Sequence, residues 1–194
     1  MEAIILAAGY SSRANAYKMT LPLGKSTVLE QTISKFEGYC GRILVVAGFQ
    51  AEIVEEEIAK INRKDAYSFQ IKLVYNEHFN KGMFSSIQKG CSVVNAPTFF
   101  LTPGDCPLVK KETIQLVAKH KGSIVIPSFN HKGGHPIKLS SEVKKKIHET
   151  DPESNLREVL NGFEKEYLNV HDPGVLMDID TPEDYQKAID YSYK

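Results

Sequence analysis

Short apolar runs alternate along this chain with stretches of helical spacing. Glu2 to Leu6 is an apolar run of strand length that leads into Ala7-Ala8-Gly9 and predicts a buried strand. From Thr27 to Phe36 the apolar residues fall at Val28, Leu29, Ile33 and Phe36, the spacing of one helix face, with Ser26 or Thr27 available as the cap. Arg42 to Ala47 (RILVVA) predicts a second buried strand. Ala51 to Ile61, with Ile53, Val54, Ile58 and Ile61 on one side, predicts an amphipathic helix. The alternation continues through a strand at Gln70 to Tyr75, a helix at Met83 to Val94, a strand at Thr98 to Thr102, a helix at Lys110 to Lys119 and a strand at Ser123 to Pro127.

The second half is less regular. Strands are expected at His135 to Leu139 and Tyr167 to Val170, and helices at Glu142 to His148 and Leu156 to Leu160. Pro182 to Ser192 closes the chain as a helix, with Thr181 as cap and Pro182 at its first position. Strands alternating with helices predict an α/β fold: a Rossmann-like, mostly parallel sheet with helices on both faces and right-handed crossovers. No repeat, low-complexity segment or linker divides the chain, so we expect a single domain over residues 1–194. Its nucleotide-binding part would span about 1–108 and its substrate-binding part about 109–194.

Composition narrows the function. The chain has 194 residues, 42% hydrophobic and 25% charged, and a net charge of zero. That suits a folded domain and argues against a broadly basic nucleic-acid binder, so affinity for phosphate must come from a local site. Cys40, Cys91 and Cys106 match neither a zinc nor a redox spacing and read as thiols. The first apolar run is too short for a signal peptide and has no basic segment before it. No run reaches the length of a membrane span. A cytoplasmic protein with no membrane and no nucleic-acid partner is expected.

Ligands of open parallel sheets bind beyond the carboxyl ends of the strands, and the chemistry-bearing loops fall at such ends. In Ala7-Ala8-Gly9-Tyr10-Ser11-Ser12-Arg13 small residues let backbone amides approach an anion and the serines add hydroxyl donors. Arg13 can fork onto phosphate oxygens, and Lys18 supplies a mobile charge. The alternative is an ordinary strand-to-helix turn with a solvated arginine and lysine. The nearby Gly24-Lys25-Ser26 is not a P-loop: Met19 stands where the first glycine belongs, and Thr20-Leu21-Pro22-Leu23 is too bulky for a phosphate nest. It reads as a turn before the first helix.

Asp105, in Thr102-Pro103-Gly104-Asp105-Cys106-Pro107, follows a strongly apolar strand and is placed to ligate Mg²⁺, which binds through one or two carboxylates plus substrate phosphates. The alternative is a turn-forming aspartate. Asp178 and Asp180 share one face of an extended segment, and Asp180 either joins Asp105 at the ion or starts the last helix. Asn76 to Ser86 joins a strand to a helix; Gly82 permits close approach, and Ser85 and Ser86 either meet a ligand or cap the helix. Arg157 opposes the dipole at its helix N-terminus, a mismatch that a bound anion would offset, unless it is simply solvated. His120, His131 and His148 have no metal-like partners.

LAAGYSSR with Lys18, Leu21-Pro22, Asn76 with Gly82-Met83 and Ser85-Ser86, GDCP, GGHPI, NLR and DIDTPEDY occur in this order over nearly the whole chain. Together they resemble the nucleotidyltransferases of molybdenum-cofactor maturation, the MobA-like NTP transferases, and among them most closely the cytidylyltransferases. The resemblance implies transfer of CMP from CTP (or another NTP) to the terminal phosphate of molybdopterin, with Mg²⁺ as cofactor. A molybdenum hydroxylase apo-enzyme is the implied recipient of the product. It implies that Leu6, Ala7, Ala8, Gly9, Ser11, Ser12, Arg13 and Lys18 hold the nucleotide through its triphosphate, and that Asn76, Gly82, Met83, Ser85 and Ser86 line the base and ribose side. Asp105 and Asp180 would hold the metal, Arg13, Lys18 and Asp105 would be catalytic, and His135, Asn155 and Arg157 would face the molybdopterin. Ala8, where guanylyl-transferring relatives tend to carry glycine, points to cytosine. The chain departs from the family at Ala14-Asn15, where Met-Gly is usual; asparagine tolerates a left-handed backbone better than most residues.

Two other readings stay open on the residues alone. One is a cytidylyltransferase or uridylyltransferase acting on a sugar, polyol or choline phosphate. The other is a non-catalytic nucleotide- or cofactor-binding maturation factor for a molybdenum hydroxylase, which would bind and release nothing.

Overall fold

The computed structural model describes residues 1–9 and 17–192. Its main sheet contains β1 (Glu2–Ala7), β4 (Arg42–Ala47), β5 (Gln70–Tyr75), β6 (Thr98–Pro103), β7 (Ile124–Phe129), β8 (Lys132–Gly133), β9 (Ile137–Ser140) and β10 (Glu166–Asn169). A small separate hairpin pairs β2 (Pro22–Leu23) with β3 (Ser26–Thr27). The helices are α1 (Val28–Ser34), α2 (Ala51–Arg63), α3 (Met83–Val93), α4 (Lys111–Lys119), α5 (Ser141–Glu149), α6 (Leu156–Asn161) and α7 (Pro182–Ser192). Apart from the two-residue strands β2, β3 and β8, which the sequence did not predict, these elements match the expected ones, with shifts of a residue or two at their ends, where the caps decide.

The strand order is β10-β7-β9-β6-β1-β4-β5, with β8 paired to β7. β1 lies inside the sheet, parallel to β4 on one side and β6 on the other. The sheet is mixed because β9 runs antiparallel to both its neighbours, β6 and β7. The physical reason is its connection. No helix separates β7 from β9, only the short β8 reversal, and a chain that turns back without a crossover pairs antiparallel.

Alternation along the strands feeds two cores. Ala3, Ile5, Ile43 and Val45 face one side, against Leu29 and Ile33 of α1, Val54 and Ile58 of α2 and Ile114 of α4. Ile4, Leu44 and Val46 face the other, against Phe84 and Ile87 of α3, Val143 and Ile147 of α5 and Leu160 of α6. A third, smaller cluster joins Leu23 and Val28 to Leu108, Ile179 and Ala188. It seats α7 beside the β2–β3 hairpin, where the Tyr185 hydroxyl donates to the Pro22 carbonyl. That packing carries the segment before α7 to the carboxyl edge of the sheet.

The Gly24-Lys25-Ser26 stretch forms the reversal of the β2–β3 hairpin. Leu23 pairs with Ser26, and Gly24 takes φ +64°, the left-handed region that favours glycine. It is a turn and not a phosphate loop. Among the described residues no helix is long and apolar enough to cross a membrane. Cys40, Cys91 and Cys106 are buried and unpaired. Burial pushes the Cys40 and Cys91 thiols up to about 12, and Cys106 well above its usual range, so none is a ready nucleophile.

Candidate active site

β1 delivers Leu6, Ala7, Ala8 and Gly9 to the carboxyl edge of the sheet. Ser11, Ser12 and Arg13, expected on the triphosphate, and the departing pair Ala14-Asn15 lie outside the described residues. Beyond them in sequence, the buried Tyr17 hydroxyl donates to the Ala7 carbonyl over 2.8 Å. Burial raises the Tyr17 pKa, which keeps the hydroxyl a neutral donor. Lys18 then opens a short 3₁₀ turn, Lys18–Thr20, with Met19 buried beneath it.

The second wall comes from the end of β6. The Gly104 N–H donates to the Leu6 carbonyl over 2.9 Å, and its carbonyl accepts from the Thr32 hydroxyl at 2.9 Å. A Cβ at Gly104 would lie 2.9 Å from Met19 Sδ and 3.1 Å from the Leu6 carbonyl oxygen. The absent side chain therefore lets this turn sit directly against β1, and Asp105 arrives beside Lys18. The third wall is the segment before α7. Ile179 is buried and its N–H donates to the Asp105 carbonyl over 3.0 Å, which turns its neighbours Asp178 and Asp180 outward.

These walls converge on one point. The Lys18 ammonium donates to Asp105 Oδ2 and, over 3.0 Å, to Asp180 Oδ1. Lys18 is largely shielded, Asp105 is buried and Asp180 is exposed. Burial opposes the charge on Lys18, but the two carboxylates outweigh it and its pKa rises. Asp178 shows the excess negative charge of the place. Partial desolvation, and then Asp180 and Asp105, push its carboxyl above the usual range despite its own backbone hydrogen bond. His135 faces the same group from the start of β9. Burial lowers its pKa against the pull of Asp105, Asp178 and the Leu101 carbonyl, and its buried Nδ1 has no hydrogen-bond partner.

Above the Lys18–Asp105 contact opens a cleft of about 320 Å³. Its lining includes Ala8, Gly9, Phe79, Gly82, Met83 and Ser86. Asn76 and Ser85, expected to line the base side with them, are turned into the loop instead. The Asn76 amide donates to Ser85 Oγ at 2.9 Å and Ser86 Oγ at 3.0 Å, while its carbonyl oxygen accepts from the His78 N–H at 3.0 Å. Ser85 in turn donates to the carbonyls of His78 and Gly82. Asn76 and Ser85 thus shape the loop that presents Phe79, Gly82, Met83 and Ser86.

Asn155 and Arg157 do not line this cleft. Asn155 caps α6, accepting from the Glu158 N–H at 3.0 Å and donating to its carboxylate, and Arg157 is exposed. Sequence reasoning missed Tyr17 and Phe79. The only signal at Phe79 was an aromatic residue in a glycine-containing loop. Tyr17 gave none, because its partner is defined only in three dimensions.

A divalent cation fits the residues at this point. Two carboxylate oxygens from separate segments already converge on one cationic group, with a third carboxylate nearby. Among the described residues no group of three or more His, Cys, Asp or Glu side chains is placed to hold a metal ion. An open pair of carboxylates is the donor set of an ion whose other ligands are water and phosphate.

A mostly parallel sheet with a small-residue loop, a lysine and paired aspartates at its carboxyl edge is the architecture of a nucleotidyltransferase. The sequence profile of the MobA-like NTP transferase domain matches residues 3–170, and the chain belongs to that family. It is 26% identical over 189 residues to the molybdenum cofactor cytidylyltransferase of Escherichia coli (strain K12), covering 97% of this chain and 95% of that protein. It is 23% identical to a probable molybdenum cofactor guanylyltransferase of Carboxydothermus hydrogenoformans, covering 95% of this chain and 93% of the relative. A crystal structure of Rv0371c from Mycobacterium tuberculosis H37Rv in complex with manganese shares the fold, with a TM-score of 0.74, 21% identity and coverage of 97% of both chains.

Proposed function

We propose that this nucleotidyltransferase moves CMP from CTP to the terminal phosphate of molybdopterin and releases pyrophosphate. The observation that carries the reading is the meeting of Lys18, Asp105 and Asp180 at the floor of the cleft lined by Ala8, Gly9, Phe79, Met83 and Ser86. The E. coli relative supports the substrate pair.

In this reading a phosphate oxygen of molybdopterin attacks the α-phosphorus of CTP. A new phosphorus–oxygen bond forms as the bond to the β-phosphate breaks, and the pyrophosphate carries away the bonding pair. A phosphate nucleophile is already ionised at neutral pH, so no general base is required. That agrees with a cleft without a reactive thiol, where burial disfavours the charged form of His135. Catalysis then rests on positioning and on neutralising charge. Lys18 and, on the loop beyond Gly9, Arg13 offset charge on the departing pyrophosphate. Asp105 and Asp180 would hold Mg²⁺, which when bound neutralises phosphate oxygens and makes the phosphorus more electrophilic. Ala8 lines the cleft where guanylyl-transferring relatives tend to carry glycine, which favours cytosine. His135 would face the acceptor substrate.

The test is a panel of CTP, GTP, UTP and ATP with molybdopterin and Mg²⁺, read as pyrophosphate release. Release with CTP well above the other nucleotides is expected. Preference for GTP would overturn the base assignment. Absence of release with every nucleotide would overturn the reaction.

A further inference from the structure

We infer that Lys18 is a stand-in cation: without nucleotide its ammonium holds the position between Asp105 and Asp180 that a divalent ion takes during turnover. Ion and nucleotide must then bind together to move it. This rests on Asp105 and Asp180 being the cation ligands.

The geometry makes the two occupants exclusive. Asp105 Oδ2 faces Lys18, while Oδ1 lies inward, 3.9 Å from the Cys106 thiol. Lys18 thus covers one oxygen of Asp105, and the buried Cys106 thiol stands beside the other. Asp180 Oδ1 faces the same ammonium. A small divalent ion needs oxygens at about 2.0–2.1 Å in near-octahedral array, and an ammonium bridging those same oxygens occupies the space it requires.

The charge balance points the same way. Asp105 and Asp180 bring two carboxylates to one ammonium, with Asp178 two residues from Asp180. Lys18 is the compensating charge among the described residues at this point. The exchange needs only a side-chain rotation. The backbone on either side of Lys18 is pinned by the Tyr17–Ala7 hydrogen bond and by buried Met19, and Lys18 lines the same cleft as Ala8 and Gly9. A triphosphate entering there offers the ammonium new oxygens as the ion claims the old ones. Each ligand therefore strengthens the other's binding, as reciprocal coupling requires.

The experiment is a Mn²⁺ titration without nucleotide, read from the electron paramagnetic resonance signal of the free ion. The proteins are the wild type, Lys18→Met, Lys18→Arg and the double variant Lys18→Met/Asp105→Asn, each checked for folding by circular dichroism. Lys18→Met is expected to bind Mn²⁺ about tenfold tighter or more than the wild type. Lys18→Arg keeps the weak wild-type affinity, and the double variant loses the gain. Lys18→Gln serves the same purpose should the methionine variant misfold. Equal or weaker Mn²⁺ binding by the neutral variants, or an equal gain with arginine, overturns the proposal. A parallel titration with CTP separates this from the underlying reading. If Asp105→Asn binds Mn²⁺ in the presence of CTP as well as the wild type does, the cation-ligand assignment itself fails. If CTP-dependent binding requires Asp105 but removing Lys18 gives no gain, only the stand-in role fails.

Discussion

The Ile179 N–H donates to the Asp105 carbonyl over 3.0 Å, so the two aspartates that share Lys18 belong to segments hydrogen-bonded to each other. Their spacing is set by backbone, not by the carboxylates. Side-chain substitution there should remove chemistry without moving the walls. Asp105→Asn is expected to cut pyrophosphate release by at least about 100-fold while leaving the circular dichroism spectrum unchanged. Asp180→Asn should show a smaller loss, because its carboxylate is exposed and water can take part of its place. Steady-state assays with saturating Mg²⁺ check both, and full turnover by Asp105→Asn would remove Asp105 from the mechanism.

Much of this architecture was legible in the sequence, and the exceptions have physical causes. RILVVA and the run ending at Ala7 carry strand length and near-continuous burial, so β1 and β4 could be placed from pattern alone. The direction of β9 could not, because it depends on whether a crossover helix precedes it, and the short β8 reversal has no hydrophobic period. At the site, the residue types at Lys18, Asp105 and Asp180 were readable from their loops. Their mutual contact depends on α7 docking beside the β2–β3 hairpin, a tertiary event that no local window contains. Asn76 shows the limit most clearly: a polar residue after a strand reads equally well as a ligand contact or as loop scaffolding, and its hydrogen bonds are those of scaffolding.

Tyr17→Phe keeps the buried ring and loses the hydrogen bond to Ala7. The net cost should be about 1 kcal/mol, seen as a fall in Tm of roughly 2–4 °C. Because that bond joins residues on either side of the stretch that contains Arg13, KM for CTP should rise more than kcat falls. An unchanged KM would mean that the Tyr17–Ala7 bond does not bear on CTP binding.

Asn76→Ala should be costlier. It strips the His78 N–H of its acceptor and both serine hydroxyls of a donor in a buried setting. Roughly 2–3 kcal/mol of destabilisation is expected, measurable by urea unfolding. CTP affinity should fall as well, since the loop presenting Phe79, Gly82 and Met83 loses its brace. Lost affinity with unchanged stability would instead make Asn76 a direct ligand contact.

Asp178 gives a prediction in pH. Partial desolvation and the neighbouring Asp180 and Asp105 raise its pKa in the folded protein above the ordinary 3.8. A carboxyl with a raised folded-state pKa binds its proton more tightly folded than unfolded. Its contribution to stability is therefore fully present below about 3.8 and is lost as pH rises through the folded value. Asp178→Asn cannot ionise and escapes that loss. In EDTA, which keeps divalent ions from offsetting the carboxylates, the variant should melt roughly 1–3 °C above the wild type at pH 7. The difference should close as pH falls towards 3.8. Thermal melts from pH 3 to pH 8 check this. A variant less stable than the wild type at pH 7 would mean that the Asp178 carboxylate is held by a favourable partner. Mn²⁺ added together with CTP should shrink the gap at pH 7, because an ion at Asp105 and Asp180 relieves the repulsion that Asp178 feels.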